Sequence, residues 1–158
     1  MDTRAPQGRQ QSWSDEAPEH GQIVVVTDNP VGRSLVELAT AVGRRTTLLA
    51  DEGVDQMPPD WLRAHPLAEQ DAVVLADHDT PDMDGLLRAA LASPVGYVAM
   101  LGSRGRAEQV FASLADLPEE ARSKLRCPAG LPLGGRTPGE MALSILAQVV
   151  AHTHGKRL

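Results

Sequence analysis

Apolar positions fall along the chain in short blocks, and the spacing inside each block decides which element it predicts. QIVVVTD, residues 22–28, carries a β-branched run too short for a helix and predicts a strand. Leu35, Leu38, Ala39 and Val42 then recur at helical spacing until Gly43, a natural helix stop. TTLLAD (46–51), DAVVLAD (71–77) and GYVAMLG (96–102) predict three further strands. Their apolar character is continuous rather than alternating, as in strands of a parallel sheet covered on both faces. DMDGLLRAALAS (82–93) predicts a helix turning Leu86, Leu87, Ala90 and Leu91 inward, with Thr80 expected as N-cap and Pro81 at the first helical position. RAEQVFASLADL (106–117) predicts another. TPGE places Thr137 at the N-cap, Pro138 at N1 and Glu140 at N3, a capping box that opens the last helix. Its stripe of Met141, Ile145, Leu146, Val149 and Val150 should pack on the sheet. Residues 51–70, with MPPDW, show no readable period. Strands alternating with helices predict an open, doubly wound, mostly parallel α/β sheet. No internal repeat interrupts it.

Composition narrows this picture. A length of 158 residues with 42% apolar content suits one globular domain with a real core. Residues 1–21 are rich in Gln, Ser, Pro and charge and lack an apolar period, so they are expected to form a disordered tail ahead of a domain spanning 22–154. The net charge of -6 is spread along the chain, which excludes a general nucleic-acid or membrane-surface binder. No apolar stretch reaches the ~18 residues of a membrane span, and the N-terminus lacks the pattern of a secretion signal, so the expected location is cytoplasmic. The single cysteine, Cys127, cannot form an internal disulfide, and no Cys/His spacing resembles a zinc site. Arg126 beside it could lower its pKa; a half-buried small apolar residue is the simpler reading.

In such a sheet, ligands bind beyond the carboxyl ends of the strands, where strand order reverses. Four loops should converge there: Thr27 to Gly32, Asp51 to Gly53, Asp77 to Asp84, and Gly102 to Arg106. In the last, Gly102 admits close backbone approach, and Ser103 could cap a helix or bond a phosphate. Arg104 and Arg106 in the first turn oppose the helix dipole, which an anion would explain. The residues alone leave a second reading open, in which Ser103 is only a cap and both arginines face solvent. The first loop reads TDNPVG instead of Gly-x-Gly-x-x-Gly and keeps only Gly32 of the dinucleotide fingerprint. Asn29 stands where the backbone would approach a diphosphate, and Asp28 would repel one. Asp51 could hold a ribose, although ADEG reads more simply as a turn. DHDTPDMDG, with Asp28, resembles a receiver-domain phosphoacceptor loop. However, GLPLGGRTP has no lysine to neutralise a phosphoryl group, and Thr27 replaces a second acid. A metal on His78, Asp79, Asp82 and Asp84 competes with the simpler reading of caps and solvated charges, so no metal ligand is assigned.

Three blocks carry a family resemblance: ADHDTPDMDGLLRAAL, YVAMLGSRGR and CPAGLPLGGRTPGEMALSILAQVVA. In order and spacing they are similar to the Thr-His-Asp, Gly-Ser-Arg and Thr-Pro-x-Glu segments of the XdhC/CoxI family, accessory factors that mature molybdenum hydroxylases such as xanthine dehydrogenase and carbon monoxide dehydrogenase. The resemblance runs from residue 72 onward, weakens over 22–71, and covers the family's C-terminal Rossmann domain, with the tail expected in place of an N-terminal domain. It implies a Rossmann-like fold and a non-catalytic role in molybdenum cofactor handling, with a hydroxylase apoenzyme as partner. A homo-oligomer is left open. The family's Gly-Ala-Gly-His-Val-Gly loop corresponds to Thr27 through Gly32, and its Asp-Asp-Arg to Ala50, Asp51 and Glu52. The binding residues it implies are Thr27, Asn29, Gly32, His78, Asp79, Gly102, Ser103 and Arg104, with molybdenum cofactor or NAD(P) as ligand. Two other functions fit the same residues. One is a stand-alone NAD(P)-binding oxidoreductase with His78 as acid or base; the other is a degenerate Rossmann module that only assembles with partners.

Overall fold

A computed structural model describes residues 20–51 and 53–158. The expected tail lies outside them except for His20 and Gly21, and Gly21 is buried. Five parallel strands run in the order β2-β1-β3-β4-β5. These are β1 (Ile23–Val26), β2 (Thr46–Leu49), β3 (Ala72–Leu75), β4 (Tyr97–Met100) and β5 (Leu125–Arg126). Every residue of β1, β3 and β4 is buried. Their continuous apolar runs follow from this, because each pleat face meets helices. On one face Val24, Val26, Val73, Leu75, Val98 and Met100 pack against Leu86, Leu87 and Leu91 of α3 (Met83–Ala92) and Val110 of α4 (Arg104–Ser113). On the other, Ile23, Val25, Val74, Tyr97 and Ala99 pack against Leu35 and Ala39 of α1 (Pro30–Ala41) and Ile145, Leu146 and Val149 of α6 (Pro138–Thr153).

The sheet is the doubly wound, Rossmann-like arrangement its pattern predicts, with three departures. The uninformative stretch holds a short helix, α2 (Pro58–Ala64), whose Pro58, Pro59 and Leu62 are buried. A two-residue strand, β5, and a one-turn helix, α5 (Glu119–Arg122), follow α4. Thr80 and Pro81 do not open α3: Asp82 is its N-cap, accepting from Gly85 N, and Thr80 is buried with its hydroxyl engaged elsewhere. Val42, expected on the inner stripe of α1, is its C-cap, past the last helical residue, and is 56% exposed, with Gly43 at φ 77° ending the helix. No helix among the described residues is long and apolar enough to cross a membrane.

The capping box of α6 is fully formed. Thr137 accepts from Glu140 N at 3.2 Å, and the Glu140 carboxylate accepts from Thr137 N at 3.3 Å and Arg136 N at 3.0 Å. These backbone donors hold the Glu140 carboxyl below the usual range. Thr137→Ala is expected to destabilise the fold by about 1 kcal/mol in urea unfolding. For Glu140 the folded pKa lies below the unfolded one, so its contribution is complete above the ordinary glutamate pKa and disappears as pH falls through the folded value. The midpoint difference between the protein and Glu140→Ala is therefore expected at pH 7 and should vanish in acid.

Candidate functional site

Strand order reverses between β1 and β3, so the chains leaving these strands diverge at their carboxyl ends, the place where open α/β sheets take their ligands. The four expected loops meet there through specific bonds. Thr27, just after β1, is buried and donates its hydroxyl to Asp51 Oδ2 at 3.2 Å. Because that proton goes to the carboxylate, the buried Thr80 hydroxyl donates to Thr27 Oγ1 at 3.1 Å. Asn29 Nδ2 donates to Ala76 O at 2.9 Å, while its Oδ1 accepts from Gly32 N at 2.8 Å and caps α1. The loops after β1, β2 and β3 are thus joined by a ladder of side chains.

The fourth loop joins through Arg106. Ser103 caps α4 by accepting from Arg106 N at 3.1 Å, and the remaining amides of that first turn have no helical acceptor. Arg106 is at N3, and helical side chains lean toward the N-terminus, so its guanidinium reaches back across the turn. Nη2 donates to His78 O at 3.2 Å. Nε is buried and has no partner among the described residues. Arg104 is exposed and makes no side-chain hydrogen bond or ion pair among the described residues. Of the two arginines, it is therefore Arg106 that ties the start of α4 to the His78 turn. A position-by-position match to a motif passes over it, whereas its place three residues after a capping serine was a usable signal.

His78 is exposed and flanked by Asp77, 3.6 Å from Nδ1, and by Asp79, 3.3 Å from Nε2. Asp77 Oδ1 also accepts from His78 N and Asp79 N, so the three form a tight turn. The other acids of this loop have structural partners, since Asp82 caps α3 and Asp84 pairs with Arg88 at 2.8 Å. Gly102 carries no side chain beside the Arg106 stem, where an added Cβ would stand 3.4 Å from Cγ. At the end of β5, burial pushes the Cys127 thiol pKa up and the Arg106 charge opposes that shift. The charge that Cys127 feels is thus that of Arg106 on α4, not that of its chain neighbour Arg126.

Thr27 is the strained point of the site. Its φ of 86° lies in the left-handed region, which a β-branched residue rarely occupies. The hydroxyl bonds to Asp51 and Thr80 hold it there. Gly32 packs so closely on Thr27 O that no side chain fits between α1 and the end of β1.

A parallel doubly wound sheet whose loops interlock at its switch point defines a Rossmann-like α/β domain. The model of the XdhC Rossmann domain matches residues 23–149, and the chain belongs to that family. A Bacillus subtilis (strain 168) protein described as one of the subunits of a probable xanthine dehydrogenase is 24% identical over 101 residues, covering 64% of this chain and 29% of its own. A crystal structure titled as a xanthine dehydrogenase from Bacillus halodurans superposes with a TM-score of 0.69 at 24% identity, over 87% of this chain and 44% of that one. The chain thus spans less than half the length of each of these relatives, and the structural likeness bears on the fold.

Strain at Thr27 predicts an inverted mutational order. Thr27→Ala loses the hydroxyl bonds and keeps a Cβ at positive φ; Thr27→Gly loses the same bonds and removes the clash. Thr27→Gly is expected to be the more stable by about 1 kcal/mol in urea unfolding, the reverse of the usual Ala over Gly preference. Arg106→Ala is expected to leave global stability nearly unchanged and to speed amide exchange across residues 77–80, measured by hydrogen-deuterium exchange.

Proposed function

We propose that the chain is an accessory factor to a molybdenum hydroxylase of the xanthine dehydrogenase type, and that it holds the anionic molybdenum cofactor as cargo in the crevice between the His78 turn and the start of α4. The observation that carries this reading is the Arg106 bridge to His78 O, which brings these two loops together in an XdhC-family domain. An anion docked here would meet the open amides of the first turn of α4, the Ser103 hydroxyl and the unpaired Nε of Arg106. Gly102 and Arg104 form the outer side of the same loop.

The alternative anion position, the start of α1, supports a bound dinucleotide poorly. Asn29 Oδ1 already accepts the Gly32 amide that a diphosphate would need, and Asp28 stands beside it, paired at 2.6 Å with Arg33. In the residues around Thr27, Asn29 and Gly32 the loop braces itself rather than presenting donors. This favours cargo held from the α4 side over an NAD(P)-dependent oxidoreductase.

Tagged full-length chain co-expressed with a xanthine dehydrogenase-type hydroxylase is expected to retain the hydroxylase or protein-bound molybdenum, and Arg106→Ala to lower the retained molybdenum about tenfold. Retention of neither would count decisively against the reading. Saturable NADH or NADPH binding that Arg106→Ala leaves intact would favour the oxidoreductase instead.

A further inference from the structure

At the opposite edge of the sheet, a cavity of about 630 Å³ opens between the start of β4, β5 and the C-terminal end of α6. Its lining includes Lys124, Arg126, His152, Lys156 and Arg157 and no aspartate or glutamate side chain, with Leu158, the last residue of the sequence, as its one source of a carboxylate. The chain carries 15 Lys and Arg against 21 Asp and Glu, so four permanent cations around one cavity run against its overall balance. None of the four appears in an ion pair among the described residues.

Helix C-termini attract cations, and this simpler explanation accounts for one of the four. Lys124 Nζ donates to Leu91 O at 3.3 Å and Ser93 O at 2.9 Å, closing the end of α3. The end of α6 closes itself: Gly155 N donates to His152 O at 2.9 Å and Lys156 N to Ala151 O at 2.8 Å, leaving the Lys156 and Arg157 side chains free of that task. Arg126 is half-buried and reaches only carbonyl oxygens, Ser123 O at 2.7 Å and Leu125 O at 3.5 Å. Its charge is felt by its neighbours. Burial lowers the His152 pKa and Arg126 lowers it further, against a smaller opposing pull from Glu69; burial raises that of Tyr97, and Arg126 opposes the rise.

The walls of the cavity are fixed. Tyr97 donates its hydroxyl to Gln148 Oε1 at 2.6 Å, and the same oxygen accepts from Gly130 N at 3.2 Å. A Cβ on Gly96 would stand 2.7 Å from Glu69 O and 3.1 Å from His152 Nε2, so the imidazole lies directly over bare backbone. Lys124 and Arg126 are half-buried with no carboxylate side chain paired to them among the described residues, which is costly; an anionic ligand offsets that cost, and the exposed Lys156 and Arg157 add to the attraction at its rim. The volume falls within the roughly 300–1,000 Å³ of small-molecule sites. A guanidinium fork with ammonium groups around it suits phosphate oxygens. From the charge, the volume and the fixed walls together, we infer that this cavity is a second ligand site, separate from the switch-point crevice, and that it takes a small molecule bearing a phosphate or diphosphate group.

Isotope-labelled full-length chain titrated with pyrophosphate at constant ionic strength tests this by NMR. The expected result is saturable shifts at Gly96, Arg126 and the His152 ring, with the His152 titration midpoint moving up in the complex. Arg126→Gln should weaken binding about tenfold. The double variant Lys156→Gln with Arg157→Gln, on exposed side chains that do not endanger the fold, should weaken it in the same direction. Citrate is the second arm and should bind distinctly more weakly. Citrate binding as tightly would overturn the phosphate assignment. Shifts that never saturate, that survive both variants, or that fall at His78 and Ser103 would overturn the site itself.

Discussion

The pairing of β1 with β3 is the constraint from which the rest of the molecule follows. β2 lies on the far side of β1, so the chain must reverse its direction of travel across the sheet to reach β3. The connections leaving the two central strands are thereby thrown to opposite faces, and a gap opens between their carboxyl ends. Two buried threonines, Asn29 and an aspartate span that gap with hydrogen bonds. Without the reversal these loops would not face one another, and Thr27 would lose the partners that hold its backbone geometry.

The two edges of the sheet differ in chemistry. At the carboxyl edge, acids outnumber cations, and the donors left for a ligand are backbone amides, the Ser103 hydroxyl and the two arginines that open α4. At the amino edge, cations line a cavity with little help from the backbone. Helix polarity accounts for part of this contrast, since helix starts favour acids and helix ends favour cations. Arg106 tempers the first edge, and the self-closed end of α6 frees the second.

Legibility in the sequence followed the number of residues that had to agree. β1, β3 and β4 were visible because each is fully buried and therefore apolar throughout, and the α6 start was visible because three capping residues stand at fixed offsets. β5 has two residues and α2 seven, too few for a period to show. Thr80 misled because its type suits a helix cap, while its hydroxyl is claimed by Thr27, 53 residues away in the chain. The convergence of the loops could be inferred from the topology rule. The pairing of Arg106 with the His78 carbonyl could not, because it depends on where a long side chain of α4 comes to rest against a loop 28 residues earlier in the chain. The amino-edge cavity left no motif, since its cations come from two separate segments.

An all-parallel sheet also has a consequence for synthesis of the chain. Ile23 pairs with Ala72, and Ala72 with Tyr97, so no hairpin can seed the sheet and each pairing waits for a long loop to close. During translation β1 emerges with its β3 side bare, and its four consecutive apolar residues stay sticky until some fifty more have left the ribosome tunnel.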